Sequence, residues 1–394
     1  MRAYRAGVAF DGDRFLDGGA LVLVDGGRVV GVEPARTDPP DGVPVTDLPG
    51  GTLVPGFVDT HTHLCGDSGN EALTRLETLA DDAVDDVVRA SLAAQLDAGV
   101  TAVRDLGDAR WAVVDRHRGH DEGPTVVASG PPVTVPGGHC FYLGGEASGR
   151  DALVAAVRAR AGRGADGVKI MTSGGMLTAQ TDVTAPQFAL DDLRAMVDAA
   201  HDAGLPVTGH AHAARAVEDC VAAGVDGIEH CSNITGAGQH ATPELLERLA
   251  ASGIAVCPTL GRFPGIDYPA PISALMAQLA ISEETILENT ATLLAAGVRI
   301  VSGADSGIYP DKAHGVLPWS LVWYARAGAA PTEMLTSGTG RAADVVGLGD
   351  RTGRLRPGLD ADLLLLDGDV RADPLAVTRV RTVVSRGRVV RSDV

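Results

Sequence analysis

Thr52-Leu-Val-Pro-Gly-Phe-Val-Asp-Thr-His-Thr-His-Leu64 is the stretch on which the fold turns. An apolar run ends there in two histidines one residue apart, His61 and His63. Alternate residues of a β-strand face the same side. A strand closing on His-x-His therefore aims two imidazoles at one point, as two ligands of one metal ion would be aimed. A surface pair would show the same spacing, and the later strand ends decide between the two.

Those ends carry further ligand-type residues. Lys169 closes Asp166-Gly-Val-Lys-Ile-Met171, His210 and His212 close Leu205-Pro-Val-Thr-Gly-His-Ala-His212, His230 closes Val225-Asp-Gly-Ile-Glu-His230, and Asp305 closes Val298-Arg-Ile-Val-Ser-Gly-Ala-Asp305. Gly99, Gly204, Gly224, Gly253 and Gly297 each follow Ala or Ser and fit helix C-terminal caps. A repeat of helix, Gly, apolar strand and polar loop implies parallel strands with crossover helices. The expectation is an α/β chain whose centre, 56–344, is a (β/α)8 TIM-type barrel. Every strand would then end at one mouth, where such barrels build their active sites.

Bulk properties agree. The 394 residues suffice for one barrel plus a smaller unit. With 45% apolar residues and no apolar stretch long enough to span a bilayer, the composition is that of a soluble globular protein. The first ten residues lack the features of a signal peptide. Five cysteines, Cys65, Cys140, Cys220, Cys231 and Cys257, show no paired spacing, which suits a reduced, cytoplasmic setting. A net charge of −18 argues against nucleic acid or an anionic membrane surface as partner.

Lysine usage is more telling. Almost every basic residue is arginine, and the only lysines are Lys169 and Lys312. Lys169 sits between Val168 and Ile170, and a buried lysine is costly unless paired or neutral. Its stem could simply pack with the amine at the mouth. Alternatively, the neutral amine takes up carbon dioxide and becomes a carbamate, an anion able to bridge two metal ions. Protonated lysine is a poor ligand.

Both chain ends read as short strands punctuated by turns at Asp11-Gly12, Gly18-Gly19 and Asp25-Gly-Gly27, and again around Ala361–Asp367, Val380–Val384 and Val389-Val390. Together, 1–55 and 345–394 are expected to form a small discontinuous β-sandwich packed on the barrel.

These motifs resemble the amidohydrolase superfamily, in particular its imidazolonepropionase-like and prolidase-like metal-dependent hydrolases. Val54-Pro-Gly-Phe-Val-Asp-Thr-His-Thr-His63 is similar to the family's first-strand signature, Ile228-Glu-His230 and Ala304-Asp305 to its sixth and eighth strands, and Gly353–Asp367 to its returning tail. Gly137-Gly-His139, and Lys169 with Thr172-Ser-Gly-Gly175, resemble the prolidase-like branch.

The resemblance implies roles. His61, His63 and Asp305 would hold one metal. Lys169, as its carbamate, would bridge to a second held by His210 and His230. Zinc suits these ligands, with other divalent metals open. Two such ions roughly 3.5–4 Å apart share a water and lower its pKa. Asp305 would be both base and acid for hydrolysis of an amide by metal-activated hydroxide. Its bland alternative is a helix N-cap. His212 either touches substrate or packs. His139 and Tyr142, in the Gly-rich loop 130–149, are expected to contact substrate, as are Arg262 and His314, with Lys312 a further cation for a substrate carboxylate. Residues 178–186 read as a mobile flap.

The expected activity is zinc-dependent hydrolysis of an amide C–N bond in a dipeptide, Xaa-Pro or N-acyl amino acid substrate, by a homo-oligomer. Two alternatives stand beside it. One is a mononuclear cyclic amidase, deaminase or lactonase with Lys169 unmodified, and the other a catalytically silent metal-binding scaffold.

Overall fold

The computed structural model describes residues 1–119 and 123–394. Among them run eight parallel strands: Phe57–Thr62, Val100–Asp105, Thr125–Ala128, Val168–Met171, Val207–Ala213, Gly227–Thr235, Ala255–Cys257 and Arg299–Ile300. The first three pair in order, as do the last five. Two seams join these runs. At one, Val133 pairs with Ile170 and Asp166 N–H donates to Ala128 O. At the other, Thr62 pairs with Ser306, and Asp305 N–H donates to His61 O at 2.7 Å. Backbone hydrogen bonds thus lead from each strand to the next and back to the first.

Helices between the strands end where the sequence says they should. Gly99, Gly204, Gly224, Gly253 and Gly297 all have φ between 73° and 89°, the left-handed conformation that only glycine adopts without strain. The helix Pro243–Ser252 shows both signals: Thr242 accepts from Leu245 N–H at its start, and Gly253 turns the chain at its end. Among the described residues, no helix is long and apolar enough to cross a membrane.

The chain ends build one eight-stranded sheet, in the order 388–392, 380–385, 363–366, 45–55, 2–10, 20–25, 28–34, with 15–16 beside 2–10. It curls until the 28–34 strand meets the 358–361 segment, where Val29 N–H donates to Leu359 O and Ala361 N–H to Gly27 O.

Leu363-Leu-Leu-Leu366 explains how the two units hold together. In a strand, alternate side chains face opposite sides. Leu363 and Leu365 pack with Tyr4, Val22, Leu53 and Val384 inside the curled sheet, whereas Leu364 and Leu366 join the large core beneath the parallel strands. All four are fully buried. A four-leucine run without polar alternation is what a strand between two cores requires. Leu364→Ala and Leu365→Ala should each lower stability by about 2–5 kcal/mol, because each leaves a cavity on a different face. Urea unfolding of the two variants checks this, and a near-neutral result at either site would mean that its face is loosely packed.

Candidate metal centre

Strand direction places the ligand-type residues. His61 and His63 lie at the carboxyl end of the first parallel strand, Lys169 in the fourth, His210 and His212 in the fifth, His230 in the sixth, and Asp305 just beyond the eighth. All seven are buried, and all line one cavity of about 160 Å³.

They converge as two groups. In the first, Asp305 Oδ1 lies 3.1 Å from His63 Nε2 and 3.4 Å from His61 Nε2. In the second, one ring nitrogen each of His210, His212 and His230 fall within 4.8 Å of one another. His212, expected to touch substrate or pack, thus sits among the second set of ligand atoms, its ring 4.4 Å from that of His230. Lys169 acts on both groups, since its charge opposes protonation of His61, His210, His212 and His230 alike.

Electrostatics prepares these side chains for a cation. Burial, with Lys169, pushes the His61 and His212 imidazoles down to about 4, and His210 and His230 well below their usual range. Neutral imidazole is the form that ligates a metal. Burial alone would raise Asp305, but His61, His63 and Lys312 hold it well below the carboxylate range. Burial lowers the Lys169 amine against the pull of Glu229 and Asp305, toward the neutral form that reacts with carbon dioxide. Among the described residues His63 Nδ1 has no hydrogen-bond partner, and Gly107 lies so close that a Cβ there would stand 2.2 Å from it.

Behind this layer lies a network that sequence reasoning missed. Glu229 Oε2 is 2.8 Å from His61 Nδ1, and Glu229 Oε1 accepts from Thr208 Oγ1 at 2.6 Å and from Arg104 at 2.9 Å. Burial would raise the Glu229 carboxyl, yet Arg104 and His61 bring it below its ordinary value, so it is ionised. An ionised Glu229 accepts a hydrogen bond from His61 Nδ1–H, which leaves Nε2 as the ring nitrogen with the lone pair, a common arrangement behind metal-binding histidines. Asp59 accepts from His61 N–H and Ala304 N–H, tying the first strand to the eighth. Both carboxylates sit inside apolar strands, which was the available signal.

The expected substrate contacts divide. His139 lines the cavity, its Nδ1 2.9 Å from Thr178 Oγ1 and its ring 4.5 Å from that of His210. Arg262 also lines it, but is held by Glu283 at 3.0 Å and Asp311 at 3.3 Å and lies 3.6 Å over the Tyr268 ring. Tyr142 is not part of the wall. Cys140, at φ 56°, turns the chain so that the Tyr142 hydroxyl faces Cys140 Sγ at 3.6 Å. His314 is also outside, its Nε2 donating to Gly66 O at 2.9 Å behind Gly307. The Lys312 ammonium is taken up by backbone carbonyls. The expected flap is tied down: Thr178 Oγ1 accepts from Cys140 N–H, and Ser173 pairs with Pro186.

Comparison with known proteins agrees with this geometry. Residues 52–390 match the amidohydrolase family, and the chain belongs to that family. It is 27% identical to the ochratoxinase of Aspergillus niger, over 83% of this chain and 74% of that one. It is 28% identical to the imidazolonepropionase of Salinispora arenicola, over 91% and 88%. A solved Xaa-Pro dipeptidase with methionine bound in its active site superposes with a TM-score of 0.86 at 25% identity, covering 99% of this chain and all of that one. The family is metal-dependent. The donor set here suits a divalent ion: two imidazole nitrogens around a carboxylate oxygen, with three further imidazoles beside them.

Glu229→Gln should weaken metal affinity about 10–100-fold, since the neutral amide no longer fixes the His61 tautomer. Competition for Zn²⁺ with a chelating dye reads this out directly. Affinity equal to the unaltered chain would show that Glu229 serves packing alone.

Proposed function

We propose that this member of the amidohydrolase family hydrolyses the amide C–N bond of a small substrate, a dipeptide of Xaa-Pro type or an N-acyl amino acid, with Zn²⁺ as its metal. The observation that carries this is Asp305, a buried ionised carboxylate against His61 and His63, at the floor of a cavity beside three more imidazoles. We read the eight parallel strands as a (β/α)8 barrel over 56–344 and the ends, 1–55 with 345–394, as a separate β unit with a sandwich-like core.

In this reading His61, His63 and Asp305 would hold one ion, His210 and His230, with His212 in reach, would hold a second, and Lys169, as its carbamate, would serve as a further ligand. Bound zinc supplies Lewis acidity to the scissile carbonyl and lowers the pKa of water to near neutral. Asp305 takes a proton from the attacking water and returns it to the amide nitrogen as the C–N bond breaks, so one carboxylate is both base and acid. His139, fixed through Nδ1 by Thr178, points its other nitrogen toward Gly175 and the cavity, where it can donate to the carbonyl oxygen.

The wall above this floor is apolar. Ile234, Ile272, Met276 and Ile281 form a cluster of their own, with Met176, Tyr268, Ile286 and Tyr309 against it. A cavity of about 160 Å³ compares with the roughly 150 Å³ of an apolar protein cavity that binds benzene. We read this apolar wall as suited to a substrate with one small apolar group beside its amide. Arg262 is the cation nearest that wall, and a substrate carboxylate would compete there with Glu283, the more exposed of its two partners. The methionine in the dipeptidase neighbour supports an amino acid as one product.

Two outcomes check this. Asp305→Asn should lose about 10²–10⁴-fold in turnover from proton transfer alone, and near-normal turnover would remove it from the mechanism. In a panel of zinc-loaded assays, amides bearing one phenyl- or isobutyl-sized group should exceed both acetylglycine and two-ring analogues in kcat/KM. Lactams or lactones hydrolysed well, with every open-chain amide ignored, would overturn the substrate assignment while leaving the metal hydrolase intact.

A further inference from the structure

We infer that Lys312 is a positioning residue that ties the ends of the seventh and eighth strands together and so sets the aim of His230 and Asp305. This rests on the metal-centre reading of those two side chains. An ammonium has three protons to donate. Lys312 Nζ gives them to three backbone carbonyls: Thr259 O at 2.8 Å, Ala304 O at 2.8 Å and Gly261 O at 3.3 Å. No proton remains for a substrate carboxylate, although Lys312 lines the cavity.

The carbonyls it selects matter. Ala304 immediately precedes Asp305, and Asp305 has φ 56°. Thr259 has φ 51°, and its Oγ1 lies 2.8 Å from His230 Nδ1. His230 itself has φ 68°, in a bulge where Ala211 pairs with His230 but Ala213 already pairs with Ile234. Non-glycine residues in the left-handed region are strained and persist only where their surroundings hold them. At all three positions neighbouring groups supply that restraint. Asn289 and Asn233 side-chain N–H groups both hold the Cys231 carbonyl, at 3.1 and 3.0 Å, on the His230 side. Asp305 N–H is held by His61 O on the other. Between them Lys312 grips both Thr259 and Ala304, and its own loop is closed by Gly307 N–H donating to Lys312 O at 2.8 Å.

A chain therefore runs from His230 through the Thr259 hydroxyl and carbonyl, across the Lys312 ammonium, to the Ala304 carbonyl and Asp305. One member of each ligand group is fixed at either end. Burial lowers the Lys312 amine and Asp305 and Asp311 nearby oppose that loss, while the three carbonyl acceptors around Nζ are the set that an ammonium satisfies. That explains why this chain, which otherwise uses arginine, has a lysine here. A compact point charge with three donors fits three convergent carbonyls, whereas a planar guanidinium does not.

The test compares Lys312→Met and Thr259→Val with the unaltered protein. Zn²⁺ affinity and stoichiometry are read by competition with a chelating dye, and Co²⁺ spectra report ligand geometry. The kcat and KM are measured for a carboxylated amide and for its neutral primary-amide counterpart. Both variants should weaken binding of at least one ion tenfold or more and lower kcat, with the acid-to-neutral KM ratio unchanged. A folded Lys312→Met with zinc affinity within twofold of the unaltered protein overturns the inference. So does a KM that rises for the acid alone, which would make Lys312 a substrate contact. Should Lys312→Met fail to fold, Thr259→Val decides, since it keeps the carbonyl and removes only the link to His230; unchanged zinc binding there overturns the inference. Altered zinc binding in a protein that cleaves no amide would leave Lys312 in this role and remove the amidase reading instead. An unaltered protein that takes up neither ion would remove both.

Discussion

Concentrating charge in a dry place is the constraint on which the rest of this structure depends. Arg104, Glu229, His61, Asp305, His63 and Lys169 lie within one buried region. A lone ion there would be expensive, and proteins answer by pairing it or by neutralising it. Both answers are used here. Arg104 and Glu229 pair, Glu229 holds the His61 proton, and Asp305 lies against two imidazoles. Burial lowers the His61, His210, His212 and His230 imidazoles toward the neutral form, which leaves lone pairs. What remains is a buried carboxylate among convergent ring nitrogens, a donor set that suits a cation. The same burial that would be a liability in an ordinary core suits these groups to bind a cation.

Holding such a cluster requires backbone geometry that regular strands do not provide. A strand that continued regularly past its end would send successive side chains to alternate faces. His230 leaves that pattern at a bulge within the sixth strand, and Thr259 and Asp305 just beyond the seventh and eighth, each through a left-handed residue. The polar groups around them, Asn233, Asn289, Asp59 and Lys312, bond mostly to backbone atoms. Their task is to hold conformation, and this separates them from groups that face the reaction.

Much of the plan was legible because it is local. His-x-His at a strand end, the Gly caps, and a lysine within an apolar strand each state their geometry within a few residues. The missing parts are contacts between distant segments. Glu229 meets His61 across 168 residues, and Lys312 meets Thr259 across 53. No local pattern pairs such residues. Tyr142 stands outside the cavity wall for a related reason. It is three residues from His139, but Cys140 reverses the chain between them, and a left-handed cysteine has no sequence signature. Sequence position alone offers His314 and Lys312 alike as groups near the mouth. Position after a strand says that a residue is near the site, and says nothing of which partner takes its protons.

The cavity separates chemistry from selection. Its floor consists of strand-end residues locked by hydrogen bonds, where changing one side chain disturbs several others. Its apolar wall comes from segments beyond the strands, chiefly Ile272 and Met276 on the helix 270–278 and Ile281 just after it. These form a cluster apart from the main core and hydrogen-bond to none of the ligands through their side chains. Volume and shape there can change by a methylene at modest cost, while the floor tolerates little. Arg262 marks the border, stacked on Tyr268 of the wall and paired to Asp311, the neighbour of Lys312. A change of substrate would thus be made above Arg262 and a change of reaction below it, and the substrate differences among relatives of this fold are expected to concentrate in the wall.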